Sequence, residues 1–579
     1  IFTILGDSDF TARIIYALFG TVLVGMPFLF RKKLGTWGAM FTSLFLCFSP
    51  SMLYFSRFAR NDIIMAAFTF GLVIAIWNFF EIRKERYLLI ISFLLALSFG
   101  TKESAFLVTA ILIFYCLLRI LHQLILKTSS TIGPITGWSI IQLFNTFIST
   151  SRSEFKKGIK YTTISPYSSI MILLTTLTLP QWTAFSGIIQ NTFVLKWSNL
   201  ILVSKQGTIG MPQGSGNLLA IILTLTMLTI SIFIGCKWNW KIWLKCAFIF
   251  YLTWLMIYTT GLTNFTDGVQ SGIWQTLGYW IIQQGEGRGG QPEYYYLIIT
   301  ALYEYLPLLI TIIATGYHIK NPTRFSSFMI YWCLSTFLIY TIASEKMPWL
   351  LVNIALPMIV FSGHFIGLIF EKLLKYKFKN KILLFVAIST ILLLSLSIRT
   401  AIIATFNNSD IPREMLVYTQ TSPDLKKSMS IISQIDSQNS IETPIYIDST
   451  SGFSWPWAWY LRDRSNVMYE IYPNKIDDVP QKILVMHSSN YKISETSDSG
   501  NLITYQKIPH RWWFPEQTYR NLSLSNLIIQ NMHIENIIST VQYWFNRTNI
   551  ADKIGSEDFY IIYPDGFNSI DLISDKVRS

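Results

Sequence analysis

Residues 62–81 read DIIMAAFTFGLVIAIWNFFE, an apolar run with one carboxylate at each end, Asp62 and Glu81. A helix needs about 20 apolar residues to cross the roughly 30 Å hydrocarbon core of a bilayer. A charged side chain is costly at the bilayer centre and far less costly at a helix end. The run therefore predicts a membrane-spanning helix whose two charges lie at the membrane surfaces.

Similar runs fill the first four hundred residues, and only 14% of the whole chain is charged. Their number predicts about twelve crossings. The predicted spans lie near 10–30, 35–49, 62–81, 87–100, 104–121, 166–186, 217–236, 241–261, 295–316, 326–343, 349–371 and 382–406. We therefore predict a polytopic α-helical membrane domain over residues 1–406.

Every second loop between these runs is basic, and basic loops face the cytoplasm. The six basic loops contain Arg31, Lys32 and Lys33; Arg83, Lys84 and Arg86; Lys156, Lys157 and Lys160; Lys237, Lys241 and Lys245; Lys320 and Arg324; and Lys372, Lys375, Lys377, Lys379 and Lys381. Residue 1 and everything after residue 406 are then external. A cytoplasmic N-terminus would require one more helix and an external loop before Ile1, and we expect both.

The basic balance, a formal net charge of +13, does not indicate nucleic-acid binding, because most Lys and Arg lie in these short loops. The 5 Cys form no CxxC pair, so neither a zinc site nor a disulfide framework is indicated. The sequence identifies no certain cofactor and leaves a divalent metal possible.

After Phe406 the apolar stretches shorten and Ser, Asn and Asp become frequent. The pattern predicts a small external α/β domain over residues 407–579. Its predicted strands are Pro444–Asp448, Ile483–Met486, Leu502–Lys507 and Asp558–Tyr563, with a helix at Ser539–Phe545. Trp455, Trp457, Trp459 and Tyr460 either stack on a sugar or, as the favoured explanation, pack in the domain core or at a membrane-facing edge.

The external helix ends carry more charge than membrane orientation predicts. The cations at these ends are Arg57, Arg60, Lys102, Arg288 and Lys346, and the carboxylates are Asp62, Glu103 and Glu345. Several cations with a few carboxylates at membrane level suit an anionic lipid head group such as a phosphate. Asp62 or Glu103 would then polarise an acceptor hydroxyl or hold the cations in place. The competing explanation is that these side chains are interfacial anchors and ion pairs.

The same stretches resemble a known family. The segments are GDSDFTARI (6–14), SPSMLYFSRFARNDI (49–63), TKESAF (101–106), RGGQPEYYY (288–296), LYEYLP (302–307), SEKMPWL (344–350) and SWPWAWYLRD (454–463). They resemble archaeal and bacterial membrane proteins described as flippase-activity-associated. That family is similar to the family 39 glycosyltransferases, which include protein O-mannosyltransferases and the aminoarabinose transferases of lipid A.

The resemblance implies a C-type glycosyltransferase fold with its active site on the external face. Such enzymes take a sugar from a polyprenyl phosphate, an acidic residue of the first external loop acts as base, and the anomeric carbon is inverted. By position, Lys102 is similar to the phosphate-facing Lys of that fold, and Arg57, Arg60 and Asp62 match its second external loop. The Asp-Glu motif of the first loop is not found here. Only Asp7 and Asp9 remain, so the true base is expected to precede Ile1.

The leading prediction is therefore a hexosyl- or pentosyltransferase of the plasma membrane, with a glycan, lipid or protein as acceptor. Its catalytic candidates are Asp62 and Glu103, and its substrate-binding candidates are Arg57, Arg60, Lys102, Arg288, Glu345 and Lys346. We expect six of these side chains to converge on one external pocket: Arg57, Arg60, Asp62, Lys102, Glu345 and Lys346. Two alternatives are a flippase or transport component that binds the same lipid without chemistry, and a scaffold whose tail binds a partner. Charged or broken helices in mid-membrane would favour the transport component.

Overall fold

A computed structural model describes residues 2–132, 161, 164–191, 200–287, 289–377, 379–439, 442–470, 482–490, 505–520, 534–547 and 554–563. The chain divides into two compact units, Ile1–Thr405 and Phe406–Ser579. The first is helical, and the second contains a six-stranded sheet. This confirms the predicted fold class, a polytopic helical membrane domain with a small α/β domain.

The first unit consists of long apolar helices. Its main helices are Asp9–Gly25, Thr36–Phe48, Pro50–Ser56, Asp62–Ile82, Glu85–Phe99, Ser104–Ile132, Pro166–Thr178, Gly216–Tyr258, Thr276–Glu286, Tyr295–Tyr303, Tyr305–Lys320, Arg324–Ile342, Leu351–Lys375 and Lys381–Ile402. Seven helices among the described residues are long and apolar enough to cross a membrane, or up to ten if each bent pair is one span.

This number is lower than the predicted twelve for two visible reasons. The 43 residues of Gly216–Tyr258 hold two of the predicted spans as two helices that meet at a kink at Asn239, where φ is −167° and ψ is 100°, and they are counted here as one. Glu85–Phe99 has only 15 residues. At 1.5 Å per residue it is shorter than the hydrocarbon core. The basic loop with Lys156, Lys157 and Lys160 lies outside the described residues.

Leu351–Lys375 is the central helix of the membrane unit. It belongs to the span Pro348–Lys375, whose most apolar 18-residue stretch is 94% buried. A Cβ atom at Gly363 would lie 2.6 Å from the Cα atom of Thr42, and one at Gly367 would lie 2.4 Å from that of Gly38. These two glycines, four residues apart, allow the helix to pack closely against Thr36–Phe48. Close packing through small residues is a general way in which membrane helices associate.

The second unit is a mixed sheet with strand order β1-β5-β6-β4-β2-β3. The strands are β1 Gln420–Thr421, β2 Ile445–Asp448, β3 Val467–Glu470, β4 Ile483–His487, β5 Tyr505–Trp513 and β6 Gly555–Ile562. β2 pairs in parallel with β3 and with β4, and the other pairings are antiparallel. Helices Pro423–Asn439 and Ile534–Asn546 complete the described part of the unit.

The predicted strands at β2, β4 and β6 are confirmed with shifts of one to three residues at their ends. The third predicted strand begins at 502, outside the described residues, and β5 runs further, to Trp513. Trp457 is fully buried in the domain core. Trp455 is 68% exposed, so the two tryptophans have different environments.

Candidate active site

Two helix starts position the first candidate residues. Ser49 caps the short helix Pro50–Ser56 by accepting a hydrogen bond from the backbone N–H of Met52. That helix ends at Arg57, and a short loop leads to Asp62, the first residue of Asp62–Ile82. A carboxylate in the first turn of a helix is favoured by the helix dipole. Lys102 lies two residues before the helix that begins at Ser104.

Asp62 and Lys102 form an ion pair, with 2.6 Å between the Lys102 Nζ and the Asp62 Oδ1 atoms. The Asp62 side chain is completely buried, and that of Lys102 is 20% exposed. The Asn61 amide also donates a hydrogen bond to the Thr101 carbonyl, at 3.2 Å. Lys102 thus pairs with a residue 40 positions earlier and not with Glu103, the carboxylate that follows it in sequence.

The second carboxylate oxygen of Asp62 is buried and has no hydrogen-bond partner among the described residues. Leaving such an atom without a partner costs about 1–3 kcal/mol. One of the two carboxylate oxygens of Asp62 thus has no hydrogen bond, a cost that a purely structural ion pair does not explain.

Tyr296 connects two segments that are far apart in sequence. Its hydroxyl accepts a hydrogen bond from the Met347 N–H at 3.1 Å and lies 3.2 Å from the Met347 carbonyl oxygen, to which it donates. It also interacts electrostatically with Asp62 and Glu345. The tyrosine-rich segment and the Glu345–Trp349 segment are therefore joined to each other through Tyr296 and Met347, within electrostatic range of Asp62.

Arg60 contacts the Glu345–Trp349 segment, and Lys346 belongs to it. The Arg60 guanidinium is 3.7 Å from the centre of the Trp349 ring, a cation–π contact. The Lys346 ammonium donates to the Ala343 carbonyl at 2.9 Å. Burial lowers the pKa of Lys346, and Glu293 partly opposes this. A Cβ atom at Gly289, where φ is +92°, would lie 2.8 Å from the Lys346 carbonyl oxygen, so only glycine fits there.

The other predicted site residues have fewer contacts with Asp62, Lys102, Tyr296 and the Glu345–Trp349 segment. The Arg57 guanidinium donates to the Thr405 carbonyl at 3.1 Å and is largely exposed. Glu103 is half-buried and interacts electrostatically with Tyr258. Glu345 is half-buried and close to Tyr296. Arg288 lies outside the described residues. The common role predicted for these residues stays a prediction.

Glu304 is a carboxylate to which the sequence analysis assigned no role. It is fully buried at the break between helices Tyr295–Tyr303 and Tyr305–Lys320, which meet at 103°. Its Oε1 atom accepts three hydrogen bonds, from the Ser49 hydroxyl at 2.6 Å, the Ser51 hydroxyl at 2.6 Å and the Ser51 N–H at 2.9 Å. Ser49 and Ser51 flank the break between Thr36–Phe48 and Pro50–Ser56, a bend of 61°. One carboxylate thus connects two broken helices.

Among the described residues, no three His, Cys, Asp or Glu side chains lie together as metal ligands would. Asp7 and Asp9 flank Ser8, which caps the helix Asp9–Gly25.

Comparison with known proteins gives one family match. Residues 1–143 match the family model described as dolichyl-phosphate-mannose-protein mannosyltransferase. This part of the chain contains Arg57, Arg60, Asp62, Lys102 and Glu103. No curated protein sequence matches the chain.

Two solved structures are similar at 10% sequence identity. The apo oligosaccharyltransferase of Archaeoglobus fulgidus covers 96% of this chain and 78% of its own, with a TM-score of 0.41. Apo ArnT from Cupriavidus metallidurans covers 85% of this chain and 81% of its own, with a TM-score of 0.39. Both scores lie below 0.5, so the description of the fold rests on the helices and sheet of the chain itself. Over its first 143 residues the chain resembles the dolichyl-phosphate-mannose-protein mannosyltransferases, as its sequence motifs predicted.

Proposed function

We propose that the chain is a membrane glycosyltransferase that moves a sugar from a polyprenyl-phosphate donor to a glycan, lipid or protein acceptor. The observation that supports this most is the ion pair of Lys102 with the buried Asp62. An ammonium group has three N–H donors, and Asp62 accepts one of them. The side chain is partly exposed, so the other donors remain available for a lipid phosphate at the membrane surface. The matched family model covers this pair, and its description names a lipid-phosphate sugar.

The two candidate carboxylates differ in access, and this difference suggests their roles. Asp62 is fully buried, so we assign it to orienting Lys102. Glu103 is half-buried and follows Lys102 in sequence. Within this chain we assign it to the base, in place of the first-loop carboxylate that the family resemblance implies. The acceptor O–H gives its proton to Glu103 as its oxygen bonds to the anomeric carbon. The bond from that carbon to the phosphate oxygen breaks, and its electron pair leaves with the phosphate beside Lys102.

Glu103→Gln is expected to lower kcat by about 10²–10⁴-fold, because the amide cannot accept the proton. The KM for the donor should stay unchanged, since Lys102 and Asp62 are intact. The test measures transfer of radiolabelled mannose from dolichyl-phosphate-mannose to membranes of the source cells by the purified full-length chain. Glu371→Gln is the matched control, because Glu371 is exposed near the basic-loop end of helix Leu351–Lys375. Full activity in Glu103→Gln would exclude Glu103 as the base.

The transport alternative has one new argument in its favour. Three helix pairs among the described residues are bent, by 61°, 71° and 103°, and a buried carboxylate, Glu304, lies at the sharpest bend. Broken helices with a charged residue are the pattern of transporter sites. In proteoliposomes, a transporter would move the lipid-linked sugar between leaflets without releasing it. A glycosyltransferase would consume the donor only when an acceptor is present.

We further propose that the unit after residue 406 is extracytoplasmic and that the protein lies in the plasma membrane. In a background without the native cysteines, Ser433→Cys should react with a membrane-impermeant maleimide in intact cells. Ser433 is exposed on helix Pro423–Asn439, and Lys379, also exposed, lies in a basic loop. Lys379→Cys should react only after permeabilisation, because basic loops face the cytoplasm. The reverse labelling pattern would refute this topology.

A further inference from the structure

A groove of about 700 Å³ runs between two long helices of the membrane unit, Ser104–Ile132 and Arg324–Ile342. Both helices are long and apolar enough to cross a membrane. Three of the side chains that line the groove, Phe114, Leu334 and Leu338, are exposed on the protein surface, so the groove opens towards lipid. Its volume lies within the range of about 300–1,000 Å³ that is typical of ligand sites.

The lining of this groove is apolar, and its polar side chains are engaged within the protein. The Tyr331 hydroxyl donates to the Ile111 carbonyl at 2.8 Å, and the Trp182 indole N–H donates to the Thr178 hydroxyl at 3.1 Å. The Ser335 hydroxyl donates to a backbone carbonyl of its own helix at 3.3 Å. The groove therefore suits a hydrocarbon chain, which needs no hydrogen bonds.

Arg324 lies on the same helix face as the groove. Tyr331 and Leu338, two of the lining residues, follow Arg324 by seven and fourteen residues, a spacing that places all three on one face. At 1.5 Å per residue the lining residues Tyr331 and Ile339 lie about 10 and 22 Å from Arg324 along the helix. Half of a bilayer with its head groups is about 20 Å thick. A lipid with its head group at Arg324 would thus have its chain at the depth of the groove.

A second arginine lies near Arg324, with Tyr167 in contact with both. The guanidinium centres of Arg119 and Arg324 are 5.5 and 5.7 Å from the centre of the Tyr167 ring. Arg324 also donates a hydrogen bond to the Tyr167 hydroxyl. A guanidinium has five N–H donors, and the buried Nε of Arg119 has no hydrogen-bond partner among the described residues. Both arginines therefore keep donors for an anion.

Tyr115 connects the groove to these arginines. Its ring centre is 5.4 Å from that of Tyr331, which lines the groove, and 6.3 Å from that of Tyr167. It also interacts electrostatically with Arg119 and Arg324. The side chain is only 4% exposed, yet its hydroxyl has no partner within the described part of the chain. A buried polar group without a hydrogen bond is costly, so this hydroxyl points to a ligand at the Arg324 end of the groove.

The charges at this end favour an anion. Glu81 interacts electrostatically with Arg324 and forms an ion pair with Lys33. Lys33, Arg119 and Arg324 against Glu81 leave a formal excess of two positive charges. Arginine is the side chain best suited to phosphate, because its planar fork donates two parallel hydrogen bonds to phosphate oxygens.

We propose that the groove and the two arginines form a binding site for an anionic phospholipid. One acyl chain lies in the groove, and the phosphate is bound by Arg324 and Arg119. The site is distinct from the proposed donor site, because Lys102 precedes Ser104 whereas Arg119 lies 15 residues, or about 22 Å, further along the same helix. The proposal goes beyond sugar transfer and does not depend on it.

The test measures binding of phosphatidylglycerol, and of phosphatidylcholine with the same acyl chains, to the purified full-length chain by native mass spectrometry. We expect phosphatidylglycerol to bind more tightly. Arg324→Gln should weaken its binding about tenfold or more, because a charged hydrogen bond is lost. Arg86→Gln is the matched control and should bind normally. Arg86 likewise lies in a basic loop, stacks on a tyrosine and donates to that tyrosine's hydroxyl, at 3.0 Å.

Leu334→Trp tests the groove separately from the arginines. Leu334 is exposed, so a larger side chain there should leave the fold intact while it fills the groove. The substitution should weaken binding of both phospholipids. Equal affinity for the two phospholipids, or unchanged phosphatidylglycerol binding in Arg324→Gln or in Leu334→Trp, would overturn the proposal. Displacement of phosphatidylglycerol by dolichyl phosphate would also overturn it, because the groove would then hold the chain of the donor lipid.

Discussion

Lys102→Ala is expected to lower the free energy of unfolding of the membrane unit by about 3–5 kcal/mol. Removal of one partner from a buried ion pair leaves the other charge without compensation, and costs of this size are typical. Asp62 is completely buried, and Lys102 is its ion-pair partner at 2.6 Å. The measurement is the thermal unfolding of the purified full-length chain in detergent, compared with the wild type.

The double variant Asp62→Asn/Lys102→Ala separates stability from binding. Because it removes both charges, it should recover most of the stability that the single variant loses. It should still bind dolichyl-phosphate-mannose more weakly, because it lacks one charged hydrogen bond worth about 1.5–3 kcal/mol. That free energy corresponds to a Kd higher by about one to two factors of ten. Lys102→Arg should bind the donor better than Lys102→Ala, and Glu103→Gln should bind it almost normally.

Normal donor binding by the stable double variant would show that the pair is structural. The interfacial-anchor explanation of the charges would then be correct for Lys102, and the phosphate would have to bind elsewhere.

The spans and the basic loops could be predicted from the sequence, because both depend on the composition of short segments. An apolar segment is stable in the bilayer, and a basic loop stays on the cytoplasmic side. The spans 62–81, 104–121 and 349–371 each appear as a helix. The number of crossings was less accessible, because the sequence pattern does not show how long each helix is or where it kinks. Glu85–Phe99 is short for a span, and the kink at Asn239 lies in the basic stretch between the predicted spans 217–236 and 241–261.

Contacts between helices were harder to predict. The sequence places Lys102 at an external helix end, and Glu103 is its immediate neighbour, yet Lys102 pairs with Asp62. Adjacent residues at a helix start point in different directions, so the neighbouring carboxylate is not the natural partner. The packing of Asp62–Ile82 beside Glu85–Phe99 and Ser104–Ile132 decides the pairing.

Glu304 was missed for a related reason. It lies inside the apolar segment LYEYLP, far in sequence from the serines that hold it, so no local spacing connects them. The signal in the sequence that points to it is a carboxylate within an apolar span, because such a residue marks a functional or structural site.

Glu304→Ala is expected to have the second large effect. The substitution leaves the hydroxyls of Ser49 and Ser51 and the Ser51 N–H without their acceptor. Each buried donor without a partner costs about 1–3 kcal/mol, so a loss of stability of several kcal/mol is expected. The substitution also removes the connection between the two bent helix pairs. One pair leads to Arg57 and the other contains Tyr296, so donor binding should weaken even though Glu304 is not assigned a contact with the donor.

Glu304→Gln discriminates between the two explanations of this buried carboxylate. Glutamine has nearly the same shape and keeps a carbonyl oxygen in the position of Oε1, which accepts all three hydrogen bonds. The amide N–H groups of glutamine would replace Oε2, which is buried without a partner among the described residues, at a cost of about 1–3 kcal/mol. If Glu304 serves only to clamp the two breaks, Glu304→Gln should therefore be clearly more stable than Glu304→Ala and should bind the donor nearly as the wild type does. If a charge or an exchangeable proton at this bend is needed for transport, Glu304→Gln should abolish movement of the lipid-linked sugar between leaflets while the protein stays folded. Unfolding and transport measured on the same preparation of Glu304→Gln therefore decide between a clamp in a glycosyltransferase and an ionisable group in a transporter.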